Sequence, residues 1–355
     1  MTVSLILDVD TGIDDALALL YACASPEAEL LAVTCVAGNV EARQVAANTR
    51  AVLALAGRSD VPVLLGEERP LVKPLQTTPE THGPNGIGYA LLPPPSRELE
   101  PDHAADRIVA LARERPGDVT LVTLGPLTNL ARALEREPAL PSLLGGYVLM
   151  GGAYRAPGNT TPTTEWNLHV DPDAGKAVFA AWAAAIAAAP PDRPVRRPIA
   201  MGLDVTEQAR LLPGHLGRLA LRAGLDARDA GAFASEPLRV AGAATENPVL
   251  RFIGDAVRFY FEFHDQFDGF YGAFIHDPFA LAATFDPALV RTQAVFVDVE
   301  TGPGLAHGMT VADWRGITAK PPNLDVAVDG DPEAFFDRFI DRVGGLAAAH
   351  DRMAR

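Results

Sequence analysis

Two cysteines, Cys23 and Cys35, are all that the 355 residues contain. That is too few for a disulfide framework, so a reducing compartment is expected. Positive charge is short as well: 30 Lys and Arg stand against 45 Asp and Glu, a formal net charge of −15. Such a balance argues against nucleic acid or an anionic membrane as partner. The apolar run from Ala177 to Ala189 is too short to span a bilayer and reads as an alanine-rich helix. A first strand that starts at Val3 leaves no room for a signal peptide. A soluble, cytoplasmic protein is expected, with one large α/β domain over residues 1–355 and a Pro- and Arg-rich surface insertion at 189–198.

What is abundant is acid, and it is concentrated near the start. Asp8, Asp10, Asp14 and Asp15 fall within the stretch LILDVDTGIDDALAL, Leu5 to Leu19. Val3 to Leu7 reads as a buried strand, followed by a Gly-containing turn and an apolar-periodic helix. One aspartate there would be a helix cap. Four together repel one another unless a cation or protons neutralise them, and oxygen-rich clusters suit a hard divalent cation. An aspartyl-nucleophile phosphatase (Asp8-x-Asp10) is the nearest rival, although Gly12 stands where that motif wants Thr or Val.

Short strands alternate with helices along the rest of the chain: strands at Leu30 to Cys35, Val61 to Leu64, Val119 to Leu124, Tyr147 to Met150 and Ile199 to Val205. The pattern predicts a mostly parallel central sheet with helices on both faces, a Rossmann-like open sheet. Ligands bind at strand tips in such sheets, and Asp10, Asn39, Leu124 and Met150 all fall at predicted tips. The loop from 66 to 100 holds THGPNGIG, in which His82 reads as a mobile loop residue. The segment Tyr154 to Asp171 is polar and irregular, with Asn159, Glu165, Trp166 and Asn167 suited to sugar hydroxyls; Asp171 caps the next helix. Residues 206 to 268 read as mostly helical, with an amphipathic segment from Val249 to Phe263. His-Asp occurs at 264, 276 and 350. Only the copy at His276-Asp277 precedes a Pro at a loop-to-helix junction, where Asp277 is expected as the cap. Strands near Ala294 to Val299, Met309 to Ala312 and Leu324 to Val328, then a helix from Asp331 to Val343, complete the expected fold.

Taken together, the motifs resemble the inosine–uridine-type nucleoside hydrolase family. The matching pieces are DVDTGIDDALAL from Asp8, AGN ending at Asn39, HGPNGIG from His82 and GPLTNLA from Gly125. Further on come MGGA from Met150, GN ending at Asn159, EWNLHVDPDA from Glu165, LDVT from Leu203 and HDP from His276. The resemblance implies that Asp10, Asp15, Asp277 and the carbonyl of Leu124 hold a Ca²⁺ ion, with Asp10 also the base that deprotonates a metal-held water. It implies that Asp14, Asn39, Asn159, Glu165 and Asn167, with the Met150 carbonyl, grip the ribose. His82 and His276 are implied to face the leaving base, with Tyr271 a further candidate on the preceding loop. Leu124, Asn85 and Trp166 replace the commoner Thr, Asp and Phe. Gly83, with no aromatic beside His82, points toward inosine–uridine or pyrimidine-type relatives. The implied substrate is a nucleoside, and relatives are often dimers or tetramers. A ribose- or nucleoside-binding protein that has lost catalysis is the alternative from another class.

Overall fold

The computed structural model describes residues 2–95, 97–235 and 245–353. The first half alternates strand and helix: β1 (Val3–Val9), α1 (Ile13–Ala24), β2 (Ala28–Cys35), α2 (Ala42–Leu55), β3 (Val63–Leu65), α3 (Pro79–His82), α4 (Ala104–Glu114), β4 (Val119–Thr123), α5 (Thr128–Arg136), α6 (Leu140–Leu143) and β5 (Gly146–Met150). The middle is helical with two short strands: α7 (Trp166–Val170), α8 (Pro172–Ala188), β6 (Ile199–Met201), α9 (Leu203–Thr206), β7 (Arg210–Leu211), α10 (Pro213–Arg222), α11 (Ala227–Phe233) and α12 (Pro248–Asp268). The chain ends with β8 (Ala273–Phe274), α13 (His276–Phe285), β9 (Val290–Val295), β10 (Val297–Val299), β11 (Thr310–Ala312), β12 (Leu324–Gly330) and α14 (Pro332–Met353).

Eight strands form one sheet in the order β3-β2-β1-β4-β5-β6-β12-β9, parallel except for the edge strand β9. The mostly parallel α/β architecture expected from the alternation is therefore present. Side chains of a strand alternate between faces: Leu5, Leu7 and Val9 pack with α1, α12, α13 and α14, whereas Ile6 packs with α4, α5 and α8. Burial on both faces is what makes Leu5, Ile6 and Leu7 a continuous apolar run up to Asp8. From β1 the order runs outward to β2 and β3, then resumes at β4 on the other side. The tips of β1 and β4 thus flank the point where winding reverses, where such sheets open a crevice.

Several boundaries differ from expectation, each for a local reason. The predicted strand Ile199 to Val205 stops at Met201. Gly202 then starts the short helix α9, and a Cβ at Gly202 would lie 2.6 Å from the Tyr154 ring. The predicted strand at Ala294 to Val299 divides into β9, on the main sheet, and β10, which pairs with β11 in a separate ribbon. The stretch expected to be mostly helical from 206 to 268 contains β7, and its residues 236–244 lie outside the described residues. The terminal helix runs to Met353, beyond the expected Val343. The alanine-rich helix is α8, which buries Val178, Phe179 and Trp182 and is capped by Asp171 as expected, Ala174 N–H donating to Oδ1 at 3.0 Å. Residues 189–198 link α8 to β6 on the surface.

Candidate active site

Helix α1 begins where β1 ends, and the turn between them is fixed by its own acids. Asp15 accepts from Gly12 N–H at 2.8 Å and from Asp10 N–H at 3.2 Å. Asp10 accepts from the backbone N–H of Asn39 at 2.8 Å, tying the tip of β1 to the loop after β2. The approach is close enough to require glycine: a Cβ on Gly38 would lie 2.1 Å from Asp10 Oδ2, and one on Gly12 2.6 Å from Asn39 Nδ2. Asp277 comes from the other end of the chain. The helix expected to be capped by Asp277 starts two residues earlier, with Ile275 as its cap position, so Asp277 stands in the first turn of α13. Carboxylate oxygens of Asp14, Asp15 and Asp277 lie within 4.8 Å of one another, all three side chains buried. Asp10 adjoins them through a carboxyl contact with Asp15.

These acids floor a cavity of about 650 Å³ whose wall includes Asp10, Asp14, Asn39, Leu124, Met150 and Asp277. The four strand tips read from the sequence are therefore brought to one rim. Burial, then the neighbouring carboxylates, pushes Asp10 and Asp277 well above the carboxylate range and Asp14 up to about 8. Burial also raises Asp15, while its backbone N–H donors oppose the rise. The lining residues include no lysine or arginine, so protons or a cation must balance the charge. The donor set, carboxylates beside carbonyls, fits a hard oxygen-seeking cation. Buried acceptors without a partner, Asn39 Oδ1 and Asn167 Oδ1, occur in the same wall and fit a site built to receive a ligand.

The remaining predicted residues are placed less uniformly. Asn167 Nδ2 donates to the Leu124 carbonyl at 2.7 Å and lies 3.3 Å from the Met150 carbonyl. A carbonyl has two lone pairs, so that of Leu124 keeps one for another partner. Glu165 lines the cavity but also caps α7: its carboxylate accepts from the backbone N–H groups of Gly152, Asn167 and Leu168 at 2.8 to 3.1 Å. Asn159 is exposed at the rim, accepting from Trp166 N–H at 3.1 Å.

His82 is not the mobile loop residue expected from its glycine neighbours. It ends the short helix α3, is buried, and accepts from Ile13 N–H at Nδ1 over 3.1 Å. His276 is buried on α13, its Nδ1 2.8 Å from Thr206 Oγ1. Burial, foremost, pushes both imidazoles down to about 3. Tyr271 does not reach the cavity wall; it packs edge-on against Phe261 with ring centres 5.4 Å apart. The corresponding wall is formed instead by Tyr260, Phe263, His264 and Phe267 of α12 with Phe274 of β8. Sequence reasoning missed these, along with Glu207, which burial and then Asp268 push up to about 7. The aromatic run around Phe267 to Phe274 was the available signal.

Asp8 settles the phosphatase reading. It lies on the Ile6 side of β1, fully buried, accepting from Thr34 Oγ1 at 2.5 Å and Asn129 Nδ2 at 2.7 Å. It does not line the cavity, so an Asp8-x-Asp10 nucleophile and acid pair has no common site.

An open parallel sheet with a buried carboxylate floor at its winding reversal, and partner-free amide oxygens in the wall above it, makes a crevice of the α/β type suited to a small polar ligand. The family model for inosine–uridine preferring nucleoside hydrolase matches residues 5–337, and the chain belongs to that family. It is 34% identical over 344 residues to the pyrimidine-specific ribonucleoside hydrolase RihA of Salmonella paratyphi B, covering 97% of this chain and 99% of the relative. Among solved structures it is similar to the purine-preferring ribonucleoside hydrolase from Gardnerella vaginalis, with a TM-score of 0.83 and 31% identity over 98% of this chain and 99% of that one. It is also similar to an inosine-guanosine nucleoside hydrolase, with a TM-score of 0.80 and 29% identity over 97% and 99% of the two chains. The protein is accordingly a glycosidase that hydrolyses ribonucleosides to ribose and free base. Among its described residues no helix is long and apolar enough to cross a membrane.

Proposed function

We propose that the substrate is a neutral ribonucleoside of the inosine–uridine or pyrimidine type, hydrolysed with Asp10 as general base at a site holding Ca²⁺. The reading is carried by the buried acid floor with no lysine or arginine among the described wall residues. Asp10, Asp15, Asp277 and the Leu124 carbonyl would hold the ion, with Asp14 close beside them. When bound there, Ca²⁺ supplies Lewis-acid charge that makes a water more acidic.

Cleavage of the C1′–N bond passes through an oxocarbenium-like state, with positive charge on the ribose and electrons moving into the base. The carboxylates of Asp10 and Asp14 set negative potential beside that cation. Asp10 takes the proton of the attacking water. Asp14, Asn39, Glu165 and Asn167 grip the ribose hydroxyls, with Asn159 at the exposed rim, and that binding offsets distortion of the sugar. A 5′-phosphate would meet the same carboxylates and be repelled, so nucleosides are taken over nucleotides.

His82 acts at the base. Its Nδ1 accepts from Ile13 N–H, so the neutral ring carries its proton on Nε2 and donates a hydrogen bond without an ionic charge. Assembly into a dimer or tetramer belongs to the same proposal and is read by sedimentation. The main test is a panel of uridine, cytidine, inosine, adenosine and guanosine assayed for ribose release, with bound metal measured on the same sample. Release from uridine, cytidine or inosine with about one Ca²⁺ per chain is expected; ribose release only from adenosine or guanosine, or full activity in calcium-free protein, would overturn it.

A further inference from the structure

Helix α12 brings a third imidazole to the cavity. His264 is buried, lines the wall, and has its Nδ1 2.6 Å from Asp268 Oδ2 one helical turn on. An ionised carboxylate accepts, so Nδ1 carries the hydrogen and Nε2 is the free position. That Nε2 is buried with no hydrogen-bond partner. A stranded buried nitrogen costs stability unless a ligand satisfies it. The two other stranded atoms named above, on Asn39 and Asn167, are in the ribose-binding part of the same wall.

The ring belongs to a continuous aromatic arc. Centroids run from His82 to Tyr260 over 5.4 Å, from Tyr260 to His264 over 4.7 Å, from His264 to Phe274 over 5.0 Å and from Phe274 to His276 over 6.0 Å. His264 thus sits midway between the two histidines expected at the leaving base. The titratable groups around it are Asp268 and Tyr260 on its own helix, His82 on α3 and His276 on α13. Of the three imidazoles, only His264 has a carboxylate hydrogen-bonded to it. Burial lowers its pKa, and Asp268 works against that fall, whereas His82 and His276 have no such counterweight.

Resting on the nucleoside hydrolase reading, we propose that His264, held by Asp268, is the acid that protonates the departing base. As the C1′–N bond breaks, its electron pair moves onto the base, and His264 Nε2–H gives its proton to a nitrogen or oxygen of that base. Water supplies hydroxide to C1′ and its proton goes to Asp10. Asp10 then releases its proton to solvent and solvent reprotonates His264 at Nε2, so the cycle closes on nucleoside plus water giving ribose plus base. His82 and His276 hold the base by neutral hydrogen bonds while this happens.

The experiment compares uridine with p-nitrophenyl riboside, whose nitrophenolate leaves without a proton, in wild type, His264→Gln and Asp268→Asn. His264→Gln is expected to lose about 10²-fold or more in kcat/KM on uridine, the scale of general acid catalysis, and under about threefold on p-nitrophenyl riboside. Turnover of the second substrate certifies that the variant is folded. Asp268→Asn keeps the imidazole but removes the charge favouring its protonation, so the alkaline limb of the uridine pH profile moves to lower pH. Equal slowing of both substrates by His264→Gln at an unchanged Tm, or no slowing of either, would overturn the assignment. A wild type that releases ribose from neither substrate would instead overturn the hydrolase reading beneath it.

Discussion

The acidic floor of the cavity is carried by strand tips, whereas its aromatic wall is carried by α12 and the ribbon strand β8. The floor is held by backbone: Asp10 and Asp15 each accept from main-chain N–H groups, and Gly12 and Gly38 admit no Cβ. The wall is held by ring packing, and the hydrogen bond between His264 and Asp268 has one partly exposed member, Asp268. On the proposed function, the chemistry common to every ribonucleoside, gripping ribose and activating water, falls to the backbone-held part, and discrimination among bases to side chains that can change without disturbing the sheet. Two of the named relatives, one pyrimidine-specific and one purine-preferring, are each similar to this chain over nearly its whole length, which is what such a division permits.

Substitutions at the two ends should separate sharply. Asp10→Ala removes the base and disturbs the cation site, so turnover is expected to fall roughly 10³-fold or more on any riboside, including p-nitrophenyl riboside. Initial rates of ribose release check this, and near-normal rates would remove Asp10 from its role. His276→Ala should cost less and depend on the leaving group. The loss is about tenfold on uridine or inosine, the scale of one hydrogen bond to the base, with little change on p-nitrophenyl riboside. Equal slowing of both substrates would take His276 away from the base.

The smallest expected effect is thermal and concerns the floor alone. In the metal-free protein Asp14 keeps its proton up to about pH 8, while an unfolded aspartate loses it near 3.9. Between those values the folded state holds more protons than the unfolded one, so this group's contribution to stability declines as pH rises. A bound cation replaces those protons, and its affinity therefore rises across the same window. A hundredfold excess over its dissociation constant adds about 2.7 kcal/mol, on the order of 5 °C in Tm. The gap in Tm between calcium-loaded and calcium-free protein should widen from pH 5 to pH 8 in differential scanning fluorimetry. A gap that shrank with rising pH would contradict a proton-filled acid floor.

The same contrast explains what could be read without coordinates. Asp10, Asp14 and Asp15 announce themselves because the strand, turn and helix that position them are contiguous, and excess negative charge in eight residues has few structural uses. Asn39, Leu124 and Met150 followed once a parallel sheet was expected, since its tips share a rim. His264 sits in a helix whose apolar periodicity says only that one face is buried. Nothing local shows that this face looks into the crevice, and its His-Asp dipeptide misdirects, because the partner is Asp268 and not Asp265. Tyr271 was favoured for its loop, but packing against Phe261 takes it elsewhere. His82 looked mobile from its glycines, whereas the hydrogen bond from Ile13 N–H anchors it. That last contact spans 69 residues, and no short sequence window contains it.

Asp277 joins an acid cluster begun at Asp10, so the clasp closes only when chain separated by more than two hundred residues has come together. During synthesis, a nascent polypeptide that has left the ribosome as far as β6 already displays Asp10, Asp14 and Asp15 without their fourth companion. On the proposed metal site, cation capture would therefore report on near-completion of the molecule: a truncated product ending before α13 lacks Asp277, the last carboxylate of the set.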